Sequence, residues 1–453
     1  MMLFPGYRKC FFLEQTVAQR FDDLKKCLLP LSEEVKSTTG RVDALQGLLN
    51  SYFDYVNPEL FVMRRGSQRR VLLVGYYGGN NLGDELMLRI VLSVFREFPS
   101  VRITVMLCEN PDYDSSTLGD VDIIHYCRTT TDLSHIASEF DALFIGGGAL
   151  LDDVAYPWCG NHFKSLSFIV AELPRYFKAK NKVVVGYGLS TNGVIEKGKY
   201  SQLLAEVVTQ ADYFSVRDSY SLSTLAQCGV PTENVRVVDD IVLCGQELCE
   251  EYPKEISDDC ITVGIVWVSF SELQQSLVDT IQGVFALGTK FKKSIRVNLI
   301  SFYDFQKADT TFYETTSRLL PSSFESQIKV IDYDNSLSET ARKLDSCDVV
   351  ISMRYHAALI CAARGVPLVA VKLANHRHYQ NKMAWVANEF PEHTTLLDSL
   401  ATADEIAKRC AQQYERGRGV PLSKDRILRN VRELKTAVRV AGPGYKKEVG
   451  TNE

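Results

Sequence analysis

The feature that most constrains the fold is an alternation of short apolar runs with amphipathic segments, which begins near Arg70. Apolar runs that predict strands occupy residues 71–75, 101–108, 142–145, 182–187, 213–216 and 235–238, and a second set occupies 260–268, 295–302, 328–333, 348–353 and 367–372. Strands that alternate with helices form parallel sheets, and the helices cover both faces of each sheet. The pattern therefore predicts an α/β protein with two tandem Rossmann-like domains.

The two sets of strands are separated by "GQELCEEYPKEISDD" at 245–259, an acidic and polar stretch with the composition of a linker. We expect an N-terminal Rossmann-like domain at 67–250 and a C-terminal one at 251–424. A C-terminal helix and a disordered tail are predicted for 425–453, because "RILRNVRELKTAV" is amphipathic and "GPGYKKEVGTNE" is not.

Residues 1–66 contain no strand–glycine–helix unit and instead show a heptad-like spacing of apolar residues, for example at Leu31, Val35, Val42, Leu45 and Leu49. This spacing predicts a helical N-terminal extension. Two interpretations stay open at this point. The helices either pack on the chain's own α/β body, or they join copies of the chain into a homo-oligomer through residues 12–56.

Composition limits which binding partners and which cellular compartment we expect for this protein. The net charge of −5 argues against a general nucleic-acid or anionic-membrane surface. Twelve cysteines without a CxxC pair indicate reduced thiols and a cytoplasmic location. We expect no signal peptide and no transmembrane segment, because no stretch approaches about 18 uninterrupted apolar residues. His376 and His378 lack a third ligand at suitable spacing, so no metal site is predicted.

Ligands of parallel sheets bind beyond the carboxyl ends of the strands, so the residues that follow each strand are the candidates for a site. The first strand is followed by "GYYGGNNLGDE", and its candidate residues are Gly78, Gly79, Asn80, Asn81 and Asp84. Asn80 or Asn81 is expected to cap the next helix. Asp84 and Glu85 in its first turn would repel a phosphate, which favours sugar hydroxyls as the ligand of this loop. The alternative is a turn with no ligand.

Three glycines, Gly146, Gly147 and Gly148, follow the strand predicted at 142–145, and Asp152 follows them. They predict either close approach of the backbone or a tight loop in the cleft, and the alternative is a tight strand-to-helix turn alone. Arg217 stands at the end of the strand at 213–216, where it is a candidate for binding an anion; the alternative is an ion pair with Asp212 or Asp218. Asp218 or Ser219 is expected to cap the next helix.

The strongest signal is "SMRYHAALICAARGVP", in which Arg354 and His356 follow a strand and open a helix. Arginine offers a planar fork for phosphate or carboxylate, and histidine titrates near neutrality. A helix amino terminus adds favourable potential for an anion. The next strand leads into Lys372 and the basic stretch "NHRHYQNK", part of which we expect to face the same cleft.

Taken in order, these segments resemble the polysaccharide pyruvyl transferase family over about residues 70–382. The resemblance implies a two-domain architecture like that of GT-B glycosyltransferases. It also implies transfer of the pyruvate unit of phosphoenolpyruvate to a sugar as a ketal, with release of phosphate. The acceptor would be a sugar or a lipid-linked oligosaccharide in biosynthesis of a cell-envelope polysaccharide or exopolysaccharide. No cofactor is implied beyond phosphoenolpyruvate as co-substrate.

The resemblance also implies roles for residues. Arg217, Arg354 and His356 match the donor-binding positions of the family, and Lys372 is a further donor-binding candidate. His356 is the candidate acid or phosphate partner, and Asp84 or Asp152 the candidate base. The glycine-rich loops fall on the acceptor side. Tyr355 departs from the pattern, since an aliphatic residue is commoner there.

Two other functions stay open from the sequence. The same architecture and the same cations would serve a nucleotide-sugar-dependent GT-B glycosyltransferase, in which the cations bind a diphosphate. A non-catalytic binding protein is the third interpretation, and the presence of both Arg354 and His356 argues against it.

Overall fold

The computed structural model describes residues 68–108, 110, 112–126, 130–151, 166–191, 195, 197–252, 258–373, 382–398 and 401–442, all of which belong to one compact unit. The predicted helical extension at 1–66 lies outside the described residues. So do Asp152, the pair His376 and His378, and the predicted tail from 443 onward.

The first half of this unit is built on a seven-stranded parallel sheet with the order β3-β2-β1-β4-β5-β6-β7. The strands are β1 (Arg69–Val74), β2 (Val101–Leu107), β3 (Asp122–His125), β4 (Ala142–Gly148), β5 (Val183–Leu189), β6 (Tyr213–Val216) and β7 (Arg236–Val237). The helices between them are α1 (Leu82–Phe95), α2 (Thr130–Glu139), α3 (Leu166–Ala179), α4 (Lys199–Gln210) and α5 (Ser219–Gln227). Every residue of β4 is buried, as expected for a central strand covered on both faces.

The second half has a six-stranded parallel sheet with the order β10-β9-β8-β11-β12-β13. Its strands are β8 (Cys260–Val266), β9 (Ser294–Ile300), β10 (Ile328–Ile331), β11 (Val349–Ser352), β12 (Leu368–Lys372) and β13 (Thr394–Asp398). Its helices are α6 (Gln274–Phe291), α7 (Ala308–Ser317), α8 (Leu337–Asp345), α9 (Tyr355–Ala363), α10 (Lys382–Glu389) and α11 (Ala403–Arg416). Two short 3₁₀ turns, Ile241–Cys244 and Gln246–Cys249, lie between the sheets.

The predicted α/β class with two parallel sheets is confirmed, and each of the predicted apolar runs contains a strand. The sequence did not predict β3 and β13, one edge strand of each sheet, whereas the other edge strands, β7 and β10, lie in predicted runs. The sequences of β3 and β13, "DIIH" and "TTLLD", are short and partly exposed, so they lack the continuous apolar run of a central strand.

The tight loop, one of the two predictions for Gly146, Gly147 and Gly148, is wrong, because these residues end β4; the other prediction, close approach of the backbone, is confirmed. The ladder of these glycines continues, with Gly148 paired to Leu189 of β5. A Cβ at Gly147 would lie 2.6 Å from the Met87 sulfur, and both Gly147 and Gly148 have positive φ. Glycine is therefore required here so that a strand can continue against α1.

The last helix, α12 (Lys424–Ala441), covers the region in which a C-terminal helix was predicted, and it packs on the first half of the unit. Its Asn430 side chain donates to the Leu243 carbonyl at 3.2 Å, and Lys435 pairs with Glu97 at 2.7 Å. Within the part of the chain that is described, no helix is both long and apolar enough to cross a membrane.

Candidate functional site

The loop after β1 is bonded to the loop after β9, so the carboxyl ends of the two sheets meet. The backbone bonds are from Leu82 N–H to the Phe302 carbonyl at 2.9 Å and from Asp304 N–H to the Asn80 carbonyl at 3.0 Å. Asn81 forms an isolated antiparallel bridge with Tyr303. Asn81 occupies the N-cap position of α1 as predicted, although its side chain makes no capping hydrogen bond. The loop therefore binds the second half through its backbone.

His356, in the first turn of α9, packs directly against the first turn of α1. A Cβ placed on Gly83 would lie only 1.7 Å from His356 Nδ1, so the imidazole occupies the space that a side chain would need. The His356 side chain is 12% exposed. This contact brings the two strongest sequence signals, the first glycine-rich loop and the Arg–Tyr–His segment, into one site.

Asp240 connects the histidine to Arg217. Its Oδ2 accepts from Arg217 Nη1 at 2.8 Å and lies 3.7 Å from His356 Nε2, while its Oδ1 accepts from Val242 N–H at 2.9 Å. Burial alone would raise the pKa of Asp240, but the neighbouring His356 and Arg217 hold it well below its ordinary value. Asp240 is therefore a buried carboxylate that stays negatively charged next to the Arg217 guanidinium and the His356 imidazole.

The same neighbours also shift the pKa of His356. Burial lowers the pKa of His356, Asp240 opposes that shift, and the cations of Arg217 and Lys382 add to it. The net shift is downward, so the imidazole is neutral near pH 7 and can accept a proton.

Tyr355 explains how Arg217 is held. The Arg217 guanidinium lies 4.3 Å from the centre of the Tyr355 ring, a distance at which a cation is attracted to an aromatic face. Arg217 is buried and pairs with Asp240; Asp218 is more distant, at 3.9 Å. The alternative pairing with Asp212 is wrong, since Asp212 bonds Lys178. Asp218 caps α5 as predicted, accepting from Ser221 N–H.

Arg354 is the N-cap residue of α9 and is fixed by residues of the β9 loop. Its Nη2 donates to Asp309 Oδ1 at 2.5 Å, and its guanidinium lies 5.4 Å from the Tyr303 ring centre. Asp309 is fully buried and also accepts from the N–H groups of Phe302 and Tyr303, at 3.0 and 2.8 Å. The Arg354 side chain is 13% exposed, which leaves one edge accessible to a ligand.

Asp84 follows Gly83, the residue of α1 against which the histidine packs. Burial raises the pKa of Asp84 to about 7, and the neighbouring Glu85 adds to the shift, while Lys382 and Arg217 oppose it. Its Oδ1 faces β4, where a Cβ on Gly148 would approach it to 3.1 Å. A carboxyl with this pKa can hold a proton near neutrality and release it.

The Glu85 carboxylate is engaged in hydrogen bonds within the first half, so its role is structural. It accepts from Gly78 N–H at 2.8 Å and from the Tyr113 hydroxyl at 2.7 Å. Burial raises its pKa to about 7 against the influence of these hydrogen bonds. It therefore fixes the turn of the first loop.

The structure brings Asp84, Arg217, Arg354 and His356 to one edge, together with Lys382 at the start of α10. Gly78 and Gly79 line the turn, Gly79 facing the Tyr76 ring, and their contact with a sugar stays a prediction. Lys372 ends β12 in register with Asp398, and its donor-binding role also stays a prediction. Asp152 is outside the described residues.

Asp240, Asp309 and Tyr303 were not predicted from the sequence. Asp240 could have been predicted, because Asp239 and Asp240 directly follow the apolar run at 235–238, just as other site residues follow the ends of their strands. Asp309 could not, because it lies inside α7 and reaches the site only through the bend of the β9 loop.

Two cavities are relevant to where a ligand binds. One of 370 Å³ reaches Arg217 at the carboxyl ends of β6 and β7 and is closed by α10 and α12. A larger one of 470 Å³ lies at the amino ends of β2 and β3, beside Arg102 and Asp122. Since ligands of parallel sheets bind at the carboxyl edge, the larger cavity is not part of the site. Among the described residues, no group of histidine, cysteine and carboxylate side chains is arranged to hold a metal ion.

Comparison with known proteins agrees with this geometry. The family model for polysaccharide pyruvyl transferase matches residues 81–375. No curated protein sequence gives a significant match. Among solved structures, a putative UDP-N-acetylglucosamine 2-epimerase from Listeria monocytogenes has a TM-score of 0.50 at 11% identity, covering 83% of this chain and 94% of its own.

MurG from Acinetobacter baumannii has a TM-score of 0.47 at 11% identity, covering 82% of this chain and 94% of its own. At such identities a likeness shows the fold alone. The fold is the two-domain α/β arrangement of the GT-B type, as predicted.

Proposed function

Since the chain belongs to the polysaccharide pyruvyl transferase family and is therefore a transferase, we propose that it uses phosphoenolpyruvate as donor. It moves the pyruvate unit onto a sugar of a polysaccharide or its precursor as a ketal and releases phosphate. The observation that carries this proposal is that Arg354 and His356 open α9 at the strand edge where Asp240 joins His356 to Arg217, with Lys382 near enough to act on the histidine. A donor with a phosphate and a carboxylate needs such a group of cations.

The donor is held by groups that are already fixed before it binds. Asp309 and Tyr303 orient Arg354, while Asp240 and Tyr355 orient Arg217. Preorganised cations stabilise charge that develops as phosphate departs, without the cost of reorienting during the reaction. The amino terminus of α9 adds a partial positive charge beside them.

The pKa shifts support the following proton transfers. Asp84, with a pKa of about 7, holds a proton near neutrality and donates it to the methylene carbon of phosphoenolpyruvate. An oxocarbenium ion then develops at the central carbon. Neutral His356 takes the proton of the attacking sugar hydroxyl, and Asp240 stabilises the imidazolium that forms. These roles exchange the acid and base assigned from the sequence.

The remaining steps restore both groups. The bond between the central carbon and the phosphate oxygen breaks, the phosphate leaves with the electron pair, and it takes the proton from His356. A second hydroxyl of the same sugar attacks the central carbon and returns a proton to Asp84. One hydroxyl proton thus ends on phosphate, and the other replaces the proton that Asp84 gave to the methyl group.

Incubating the purified protein with phosphoenolpyruvate and a panel of sugars tests this proposal. We expect phosphate release together with a ketal methyl signal in the NMR spectrum of the product. His356→Ala should lose at least about a hundredfold in turnover, in line with general base catalysis. The exposed His125 serves as control, since His125→Ala should release phosphate at the normal rate. Full phosphate release by His356→Ala would remove the histidine from the mechanism.

A further inference from the structure

The 370 Å³ cavity beside Arg217 has the features of a sugar subsite. Its volume falls within the range of small-molecule sites, roughly 300–1,000 Å³. It opens at the carboxyl ends of β6 and β7, the edge at which parallel sheets bind ligands. Elements of both halves enclose it: the β6 and β7 ends come from the first half, Trp385 and Glu389 from α10, and Arg429 and Glu433 from α12.

The charge of the lining argues against an anionic ligand. Four carboxylates line the cavity, those of Asp218, Asp239, Glu389 and Glu433, against the two guanidinium groups of Arg217 and Arg429. This surplus of carboxylates disfavours phosphoenolpyruvate or a nucleotide diphosphate as the occupant of the cavity itself, although Arg217 at its wall is also proposed above to contact the donor. A neutral polyol is favoured instead, because carboxylates accept hydrogen bonds from hydroxyl groups.

Two of these carboxylates, Asp239 and Glu389, are held in place by hydrogen bonds before any ligand binds. Arg426 bonds both oxygens of Asp239, at 2.8 and 3.0 Å, and one oxygen of Glu389 at 2.7 Å. Each of these carboxylates keeps further acceptor capacity for a hydroxyl. Preorganised acceptors lower the entropic cost of binding.

Trp385 and Arg217 supply the other contacts that a sugar ring needs. Trp385 is half-buried and lines the cavity, and the electron-rich face of an indole packs against the C–H groups of a pyranose. Arg217 is 1% exposed, and its Nε–H has no hydrogen-bond acceptor among the described residues. A sugar oxygen in the cavity can satisfy that buried donor.

The cavity adjoins the reacting centre and shares Arg217 with it. Trp385 contacts the Tyr355 ring at 6.3 Å, and Tyr355 contacts the His356 ring at 5.0 Å. Two ring contacts thus separate Trp385 from the histidine. A sugar in the cavity would therefore lie beside the reacting centre.

We propose that this cavity binds the sugar unit next to the one that receives pyruvate, so that the protein selects an oligosaccharide or polysaccharide over a free monosaccharide. The inference rests on the proposed function, because it takes the neighbouring sugar to be the one that receives pyruvate. The binding of a saccharide in the cavity can nevertheless be measured without phosphoenolpyruvate.

The test compares wild type with Trp385→Ala and Glu433→Gln. The control is Arg432→Gln, because Arg432 is exposed on the same helix and does not line the cavity. The probes are methyl β-galactopyranoside, methyl β-glucopyranoside and methyl α-mannopyranoside, with lactose, cellobiose and mannobiose as the matched disaccharides. Saturation-transfer NMR without phosphoenolpyruvate measures binding, and thermal unfolding establishes that each variant is folded.

We expect at least one disaccharide to bind wild type more tightly than its monosaccharide. Trp385→Ala should weaken that disaccharide about tenfold, and Glu433→Gln should weaken it in the same direction, with little change for the monosaccharide and none in the control. Disaccharide binding that is absent in wild type, or equal in wild type and both variants, overturns the subsite. Absence of phosphate release from phosphoenolpyruvate by wild type overturns the proposed function instead, and the two failures are therefore distinguishable.

Discussion

At the scale of single residues, the site depends on buried groups whose partners come from elsewhere in the chain. Asp240 serves Arg217 and His356 together, and Asp309 serves Arg354. A buried charge without a partner is costly, so Arg217 and Arg354 are each matched by a fixed carboxylate. The sequence could identify Arg354 and His356 because they follow a strand. It could not identify which distant carboxylate meets them.

Gly83 gives the most specific prediction at this scale. Gly83→Ala places a Cβ in the space of the His356 imidazole, which must move. Alanine also favours the helix by about 0.5–1 kcal/mol, so the protein should stay folded. We expect at least about a hundredfold loss of phosphate release, because a small misplacement of a reacting group is costly. Circular dichroism and steady-state rates check both expectations.

Gly198 is the matched control for that change. Its φ of 174° is extended, and a Cβ there meets no atom within 4 Å. Gly198→Ala should therefore keep normal activity. Normal turnover by Gly83→Ala would contradict the packing of His356 against α1.

Asp84 gives a prediction for stability against pH. Its pKa in the folded protein is about 7, against an ordinary value of 3.8. The folded protein therefore keeps a proton that the unfolded chain has lost, and the free energy of unfolding contributed by Asp84 falls as pH rises from about 4 to 7. Relative to Asp84→Asn, wild type should lose on the order of a few kcal/mol over that window.

Urea unfolding at several pH values measures this difference. The exposed Asp120 provides the comparison, since Asp120→Asn should track wild type at every pH. A constant difference between wild type and Asp84→Asn across the window would contradict a raised pKa of Asp84, and with it the role of this residue as proton donor.

At the scale of elements, apolar runs predicted the central strands because these are buried on both faces. Two of the four edge strands, β3 and β13, were not predicted, because their short and partly exposed sequences contain no continuous apolar run. The glycines that end β4 misled the prediction for a different reason. Glycine is typical of loops, but here it is required by close packing of a strand on Met87 of α1.

The β9 loop gives a prediction that belongs to this scale. Asp309 accepts hydrogen bonds from the backbone of the loop and from Arg354, and it is fully buried. Asp309→Asn places an amide hydrogen against one of these donors, so we expect a loss of about 2–3 kcal/mol in the free energy of unfolding. Chemical denaturation measures the loss, and Glu325→Gln is the exposed control in the same half. An unchanged midpoint for Asp309→Asn would show that this carboxylate does not hold the loop.

At the scale of the whole molecule, the site exists because the two halves are joined on both sides of it. The first loop bonds the β9 loop, and Arg426 of α12 bonds Asp239 of the first half and Glu389 of α10. The sequence predicted both sheets and their order along the chain. It could not predict these joints, because they depend on side chains brought together only by the completed fold. Assembly through residues 12–56 stays a prediction.

The central claim is that the cations at the joined strand ends bind phosphoenolpyruvate, and equilibrium binding by calorimetry tests it most directly. Wild type should bind phosphoenolpyruvate without competition from uridine diphosphate. Arg354→Gln should weaken binding by about ten- to a hundredfold, because a charge-assisted contact contributes about 1.5–3 kcal/mol. The exposed Arg342→Gln variant should bind as wild type does. Equal affinity in wild type and Arg354→Gln, or displacement of phosphoenolpyruvate by uridine diphosphate, would contradict the account.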